Sequence, residues 1–280
     1  MTKESSNWKG WIIPESDPTE HEAGAPVASA LIRKLINELK TERAPGIDGV
    51  SSQMLACAGQ GALDLLTCMY NMLSIGTVPN LLSTGRMTLI DKKQPSQLVP
   101  GKRPLMVSSV VLNIFTKIVH ERMNKICEER RILRTNTIWI SIQKVNHRLR
   151  FYPSGSYKEG KKWNHVISLA FCDIAKAYDS VNRELLYTKL DSVGFGGRVK
   201  SIIQAMYYNN AENVRIGNGL SAPLWFTKTG LCLSPLLFAL YLLGLGKVCY
   251  SMIEGINFNG LIISTLMFSD DLVLIYRTRV

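Results

Sequence analysis

Thr265-Leu-Met-Phe-Ser-Asp-Asp-Leu-Val-Leu-Ile-Tyr276 places an acidic pair, Asp270-Asp271, between two apolar runs. Short apolar runs on either side of a polar turn predict two strands joined as a hairpin. Taken alone, such a pair reads as a β-turn, because an aspartate carboxylate accepts hydrogen bonds from turn amides. A second carboxylate widens that reading. Val166 to Ile174 is another short β-rich run, and its Asp173 falls at the C-terminal end, where a strand holds a side chain rigidly while a loop opens it to a ligand. Three carboxylates brought together repel one another unless cations neutralise them, and two Mg²⁺ ions about 3.5–4 Å apart are the usual solution in phosphoryl or nucleotidyl transfer. The bland alternative is three unrelated surface acids.

Working outward, helical spacing of Leu31, Leu35, Ile36 and Leu39 predicts a helix from Ala28 that stops before Pro45, and Gly46-Ile-Asp-Gly49 reads as a turn. Leu63, Leu66, Met69, Tyr70 and Leu73 mark a second helix with Gly76 as its stop. Met87 to Ile90 reads as a strand, Lys92 to Pro100 as a basic loop and Ser109 to Ile132 as a long amphipathic helix. Between Leu133 and Trp163 the pattern loosens into loop and weak strand. Further helices are expected over Asn182 to Val193, closed by Gly194, and over Arg198 to Tyr208. Gly217-Asn-Gly219 and Asn259-Gly260 carry the positive-φ residues of tight hairpins. Pro235 tolerates the first helical turn because it needs no amide partner there, so one helix is expected from Ser234 to about Glu254.

Composition excludes several classes. With 46% hydrophobic and 20% charged residues over 280 positions, the chain can bury a core without staples and is neither disordered nor collagen-like. Its six cysteines form no CxxC pair and its four histidines stand at no ligand spacing from them, which argues against a zinc site or a disulfide framework. The opening residues, with Lys3, Glu4, Lys9 and Glu15, lack the apolar core of a signal peptide, so the expected compartment is nuclear or cytoplasmic. Thr229 to Gly246 is free of charge but interrupted by Ser234, Pro235, Tyr241, Gly244 and Gly246, which reads as soluble core and not as a membrane span. The net charge of +11 is concentrated: Gly85 to His165 holds 17 of the 33 basic residues and 5 of the 22 acidic ones, a local +12. That asymmetry points to a polyanionic partner, nucleic acid first.

The motifs resemble one family. Phe171-Cys-Asp-Ile-Ala-Lys-Ala-Tyr-Asp-Ser-Val-Asn-Arg-Glu-Leu-Leu186 is similar to the first catalytic motif of reverse transcriptases from non-LTR retrotransposons, and Phe268-Ser-Asp-Asp-Leu-Val-Leu-Ile275 to their Tyr/Phe-Ala-Asp-Asp motif. Between them, Leu233-Ser-Pro-Leu-Leu-Phe238 resembles the helix-opening motif of the same palm, while Ala44-Pro-Gly-Ile-Asp-Gly49 and Lys102-Arg-Pro-Leu105 look like fingers signatures. The resemblance runs from about Ala44 to the C-terminus, with all five motifs in the family's order. It implies an α+β fold, the fingers and palm of a right-hand polymerase, with an antiparallel palm sheet packed on helices and the thumb absent. The implied organisation is a flexible segment over 1–27, a fingers-like region over 28–165 and a palm-like region over 166–280, truncated after the Asp-Asp hairpin.

Carried over by position, the resemblance implies that Asp173 and Asp270 hold two Mg²⁺ ions, with Mn²⁺ as the alternative cation, and that Asp271 completes the catalytic acids. The Ile174 carbonyl would be a further metal ligand. Tyr178 would pack under the sugar of the incoming nucleotide and exclude a 2′-hydroxyl, where the plainer reading is a core tyrosine. Arg103, Lys92 and Lys93 would grip the triphosphate, and Ser234 and Pro235 would touch the template. The implied partners are an RNA template, a DNA primer and a dNTP, without a membrane.

Two departures stand against full activity. Family members carry Gly-Val-Arg/Lys-Gln-Gly-Cys before Leu-Ser-Pro, whereas Thr229-Gly-Leu-Cys232 leads straight into Leu233, shorter by roughly four residues. Leu133 to Trp163 also lacks the Gln-x-Gly-Phe fingers motif. With no residues left for a thumb, the isolated chain is expected to be a weak polymerase, and the alternative is a decayed or domesticated relic that binds RNA or DNA through its basic segment without chemistry.

Overall fold

The computed structural model describes residues 24–39, 44–74, 78–91, 102–133, 137–139, 165–174, 177–178, 180–208, 211–216, 219–221, 224–225, 231–258, 261–268 and 271–279. Helices α1 (Ser29–Asn37), α2 (Ser52–Ala56), α3 (Gln60–Leu73) and α4 (Asn80–Ser83) lead into strands β1 (Gly85–Asp91) and β2 (Lys102–Val107), the long α5 (Val110–Glu129), β3 (Thr137–Trp139) and β4 (His165–Asp173). Then come α6 (Arg183–Ser192), α7 (Gly197–Tyr208), β5 (Ala211–Ile216), β6 (Gly219–Leu220) and β7 (Leu224–Trp225). Helices α8 (Ser234–Tyr241) and α9 (Leu245–Met252) precede β8 (Ile256–Phe258), β9 (Leu261–Ile263), β10 (Thr265–Phe268) and β11 (Asp271–Arg279). The chain forms two compact units, Met1–Asn124 with Arg183–Ser234, and Lys125–Asn182 with Pro235–Val280. The helices α6 and α7 and strands β5 to β7 therefore belong to the same unit as the N-terminal helices.

In the first unit, helical spacing puts Ile32, Leu35 and Ile36 of α1 and Leu63, Tyr70 and Leu73 of α3 on buried faces. The Tyr70 ring stacks on Phe115 of α5, centroids 5.7 Å apart, and its hydroxyl donates to the Val111 carbonyl at 2.9 Å. Burial makes that phenol a much weaker acid than usual, so it stays a donor at every physiological pH. The unit's sheet runs β2-β1-β5-β6, with β7 also paired to β5. Its edge strand β2 was not anticipated from the sequence, since Pro104 reads as a strand breaker; at an edge the missing amide is tolerated.

The Gly46–Gly49 turn is built as the sequence suggests, with the Gly49 amide donating to the Gly46 carbonyl at 3.3 Å and Gly49 at φ +72°. Ser109 Oγ donates to Asp48 Oδ2 at 2.6 Å and accepts from the Leu112 amide at 3.2 Å, so the turn is tied to the first turn of α5. A side chain on Gly46 would lie 2.8 Å from Ser109 Cα. Gly46→Ala is accordingly expected to destabilise the chain by about 1–3 kcal/mol, read from the urea midpoint, because the atom it meets is backbone and cannot rotate away.

His120, half-buried on α5, offers a pH handle. Burial holds its imidazole below the ordinary value, while Glu121 beside it pulls the other way. The unfolded chain takes up that proton near pH 6.5 and the folded chain does not, so stability is complete above about pH 6.5 and falls as the pH drops below it. Between pH 7.5 and 5.5 the wild-type urea midpoint should drop further than that of His120→Gln; equal drops would assign the acid sensitivity elsewhere.

The second unit centres on a sheet of order β3-β10-β11-β4. β10 and β11 form the antiparallel hairpin that the apolar runs around Asp270-Asp271 predicted, and β11 pairs antiparallel with β4 along its whole length. β8 and β9 make a second hairpin. Ile256, Ile263 and Ile275 are buried together, with Leu266 and Val273 packed on them. The Ile275 amide donates to Ser264 O at 2.8 Å and the Arg277 amide to Glu254 O at 2.9 Å, which fixes β11 against the β8–β9 region.

The single helix expected from Ser234 to Glu254 is two helices. Gly244 takes φ +99°, a left-handed conformation that closes the first and opens the second. Leu236, Leu237, Phe238, Ala239 and Leu240 are all buried, so α8 is apolar all round and carries no periodic signal to show where it ends. All six cysteines are free. No helix among the described residues is long and apolar enough to cross a membrane.

Candidate active site

Asp173 ends β4 and Asp271 begins β11, and the antiparallel register sets them directly opposite each other. Residues opposite one another in a sheet share a face, with Cα atoms about 4.5–5.5 Å apart. The same register stacks rows on this face: Phe268, Asp271 and Asp173, then Leu266, Val273 and Phe171, then Ile275 and Leu169. On this face Ile275 is 1% exposed, with Leu266 and Val273 packed beside the small apolar core, whereas Leu169 and Phe171 of β4 are 51% and 78% exposed, so the face opens along the edge strand β4. Both aspartates are exposed. Two like charges opposite each other are unfavourable by themselves, and hard oxygen donors at one exposed edge suit a divalent cation. The residues present therefore fit such an ion.

Asp270 lies outside the described residues, as do Lys92 and Lys93. Among the described residues no three acidic, histidine or cysteine side chains gather as a metal-ligand set, so the described part of the site is the Asp173 and Asp271 pair. Ile174 follows β4 directly and is half-buried. Tyr178 is half-buried in the same unit, its ring 5.4 Å from that of Phe238 and tilted by 54°. Phe238 belongs to the quoted Leu233 to Phe238 motif without having been singled out; its place three residues past Pro235 in an all-apolar helix was the available signal.

In the first unit Arg103 stands in β2 opposite Ile90. Ser234 is buried, its amide donating to Leu231 O at 3.1 Å and its hydroxyl 3.4 Å from that of Tyr207. Burial pushes the Tyr207 phenol up to about 12. The Tyr207 carbonyl accepts from Arg183 Nη1 at 2.8 Å, so Ser234 opens α8 from a braced position. Pro235 beside it is exposed.

Residues 90–280, which include this acidic pair, match the reverse transcriptase (RNA-dependent DNA polymerase) family. The chain belongs to that family. Among curated proteins this reverse transcriptase domain is 23% identical over 264 residues to the probable RNA-directed DNA polymerase from transposon BS of Drosophila melanogaster, covering 91% of this chain and 28% of that protein. It is 27% identical over 243 residues to the retrovirus-related Pol polyprotein from the type-2 retrotransposable element R2DM of the same species, covering 84% of this chain and 22% of the relative. To the corresponding polyprotein from the type-1 retrotransposable element R2 of Nasonia vitripennis it is 26% identical over 277 residues, covering 92% and 26%. The chain thus spans about a quarter of the length of these relatives.

Proposed function

We propose that the chain supplies the fingers and palm of a non-LTR retrotransposon polymerase that copies an RNA template into DNA from a DNA primer. The observation that carries this reading is the opposition of Asp173 and Asp271 on an open sheet edge. In the reaction the primer 3′-oxygen bonds to the α-phosphorus of a dNTP, the bond to the β-phosphate breaks, and pyrophosphate leaves. Asp173, Asp270 and the Ile174 carbonyl would hold two divalent cations, Mg²⁺ or Mn²⁺, with Asp271 completing the acidic edge. Bound there, such ions supply charge neutralisation at the phosphoryl oxygens and a more acidic 3′-hydroxyl. Arg103, Lys92 and Lys93 offset the triphosphate charge, Tyr178 lies under the sugar, and Ser234 and Pro235 bear on the template.

The test is addition of a single dNTP to a primed RNA template by the full chain, with and without Mg²⁺. Metal-dependent addition supports the reading, and its absence together with intact RNA binding favours a binding-only relic. Binding itself should weaken steeply between 50 and 200 mM salt, roughly 10³-fold or more for six or more phosphate contacts, because counterions released from the phosphates drive it. Salt-independent binding would exclude the basic segment, +12 over Gly85 to His165, as the contact.

A further inference from the structure

We propose that Asn71, Arg122 and Arg198 form a peptide-binding clamp that takes the main chain of an extended segment, and that Gly24 to Val27 fills it as a strap across α3, α5 and α7. A stretch outside helix and strand has to find partners for its carbonyls and amides. Four consecutive carbonyls find them here on side chains. Gly24 O accepts from Arg198 Nη1 at 3.2 Å, Ala25 O from Arg122 Nη1, Pro26 O from Arg122 Nη2 at 3.0 Å and Val27 O from Asn71 Nδ2 at 3.4 Å. The Val27 amide donates to Asn71 Oδ1 at 2.7 Å, so one carboxamide meets both polar groups of that residue as a neighbouring strand would. At Ala28 the helix takes over, its carbonyl accepting from the Leu31 and Ile32 amides.

These contacts read backbone. Pro26 is exposed, whereas Val27, at 3% exposure, is the segment's apolar anchor. The flat fork of Arg122 spans two successive carbonyls, which a lysine ammonium cannot copy. The clamp also stands where it can fasten the unit. α5 starts three residues after β2, α7 ends three residues before β5, and Val107 and Glu212 pair with Arg86 and Gly85 at one end of β1. The sheet thus holds one end of each helix. At the helical rise of about 1.5 Å per residue, Arg122 lies about 18 Å along α5 from Val110 and Arg198 about 15 Å along α7 from Tyr208, so the strap joins the ends remote from the sheet.

The first measurement is hydrogen–deuterium exchange on the full chain. Arg122→Lys should speed exchange of the Val27 amide about tenfold or more, as losing a hydrogen bond from a charged donor does. The Lys200 amide in the first turn of α7, bonded to Gly196 O, should follow, while amides of β1 and β2 stay within about twofold. Ala25→Ser alters a side chain but not the carbonyl that the clamp takes, and should leave all of them unchanged. The second measurement is binding in trans. Val27→Asp puts a carboxylate where a buried valine stood and releases the built-in strap. The full chain with that change should bind a fluorescein-labelled peptide, Ala23-Gly-Ala-Pro-Val-Ala-Ser29, with a Kd in the millimolar range or tighter, and Arg122→Lys in the same chain should weaken binding about tenfold. Wild type should not bind it, because its own strap competes at a roughly millimolar effective concentration. Should Val27→Asp melt far below wild type, Val27→Gly weakens the anchor without burying charge and is read the same way.

Unchanged exchange at Val27 in Arg122→Lys, faster exchange at Val27 with none at Lys200, or equally fast exchange in Ala25→Ser overturns the inference. So does a chain whose released strap leaves no peptide binding, or peptide binding that wild type matches or that Arg122→Lys does not weaken.

Discussion

Asp173→Ala is expected to lower metal-dependent nucleotide addition by about a thousandfold or more, since metal-ion catalysis supplies several kcal/mol of transition-state stabilisation and each 1.36 kcal/mol is tenfold in rate. The structure also gives this variant an opposite signature. Asp173 and Asp271 face each other across paired strands, so removing one charge relieves a repulsion worth about 0.2–1 kcal/mol in the absence of cation. The metal-free melting temperature should hold or rise while Mn²⁺ affinity, followed by the paramagnetic resonance of free Mn²⁺, collapses. A variant that loses activity by melting early, or one that keeps metal-dependent addition, would remove Asp173 from the site.

Phe115→Ala should be the most damaging core substitution in the first unit. Phe115 is 1% exposed and stacks on Tyr70, which is fully buried. Truncating a buried phenylalanine costs about 3–5 kcal/mol in lost transfer energy and the cavity left behind. Here the cavity also strips one side of Tyr70, whose hydroxyl bond to Val111 depends on the ring's position. Urea unfolding followed by far-ultraviolet circular dichroism measures the loss. A change below about 1.5 kcal/mol, under the range usual for truncation of a core residue to alanine, would mean that the surrounding helices collapse onto the space.

The acidic edge was legible because it combines two local signals: strand-like runs of fixed period and a turn of hydrogen-bonding residues. Asp173 ends its strand where those signals put it, whereas Asp271, expected in the turn, is the first paired residue of β11; most helices stand where apolar residues recur along one face, as in α1 and α3. Local pattern failed where the decisive energy is not local. Pro104 hid β2, because whether a strand tolerates proline depends on its neighbours in the sheet. Gly244 hid the break after α8, because an all-apolar run looks the same on either side of it. The parallel pairing of β1 with β5, which carries α6 and α7 into the N-terminal unit, joins residues more than a hundred positions apart. Periodicity reports a buried face but not its partner, and so it could quote Phe238 inside a motif without giving it Tyr178 as a neighbour.

The register of β4 and β11 also bears on how this sequence can drift. Side chains alternate across a strand, so one residue gained or lost inside β4 between His165 and Asp173 would turn Asp173 to the opposite face from Asp271 while leaving both acids in the chain. Substitutions elsewhere in these strands only have to keep an apolar surface. Changes of length have no such latitude, and lineages of this domain should vary freely in the composition of β4 and β11 while keeping their residue count.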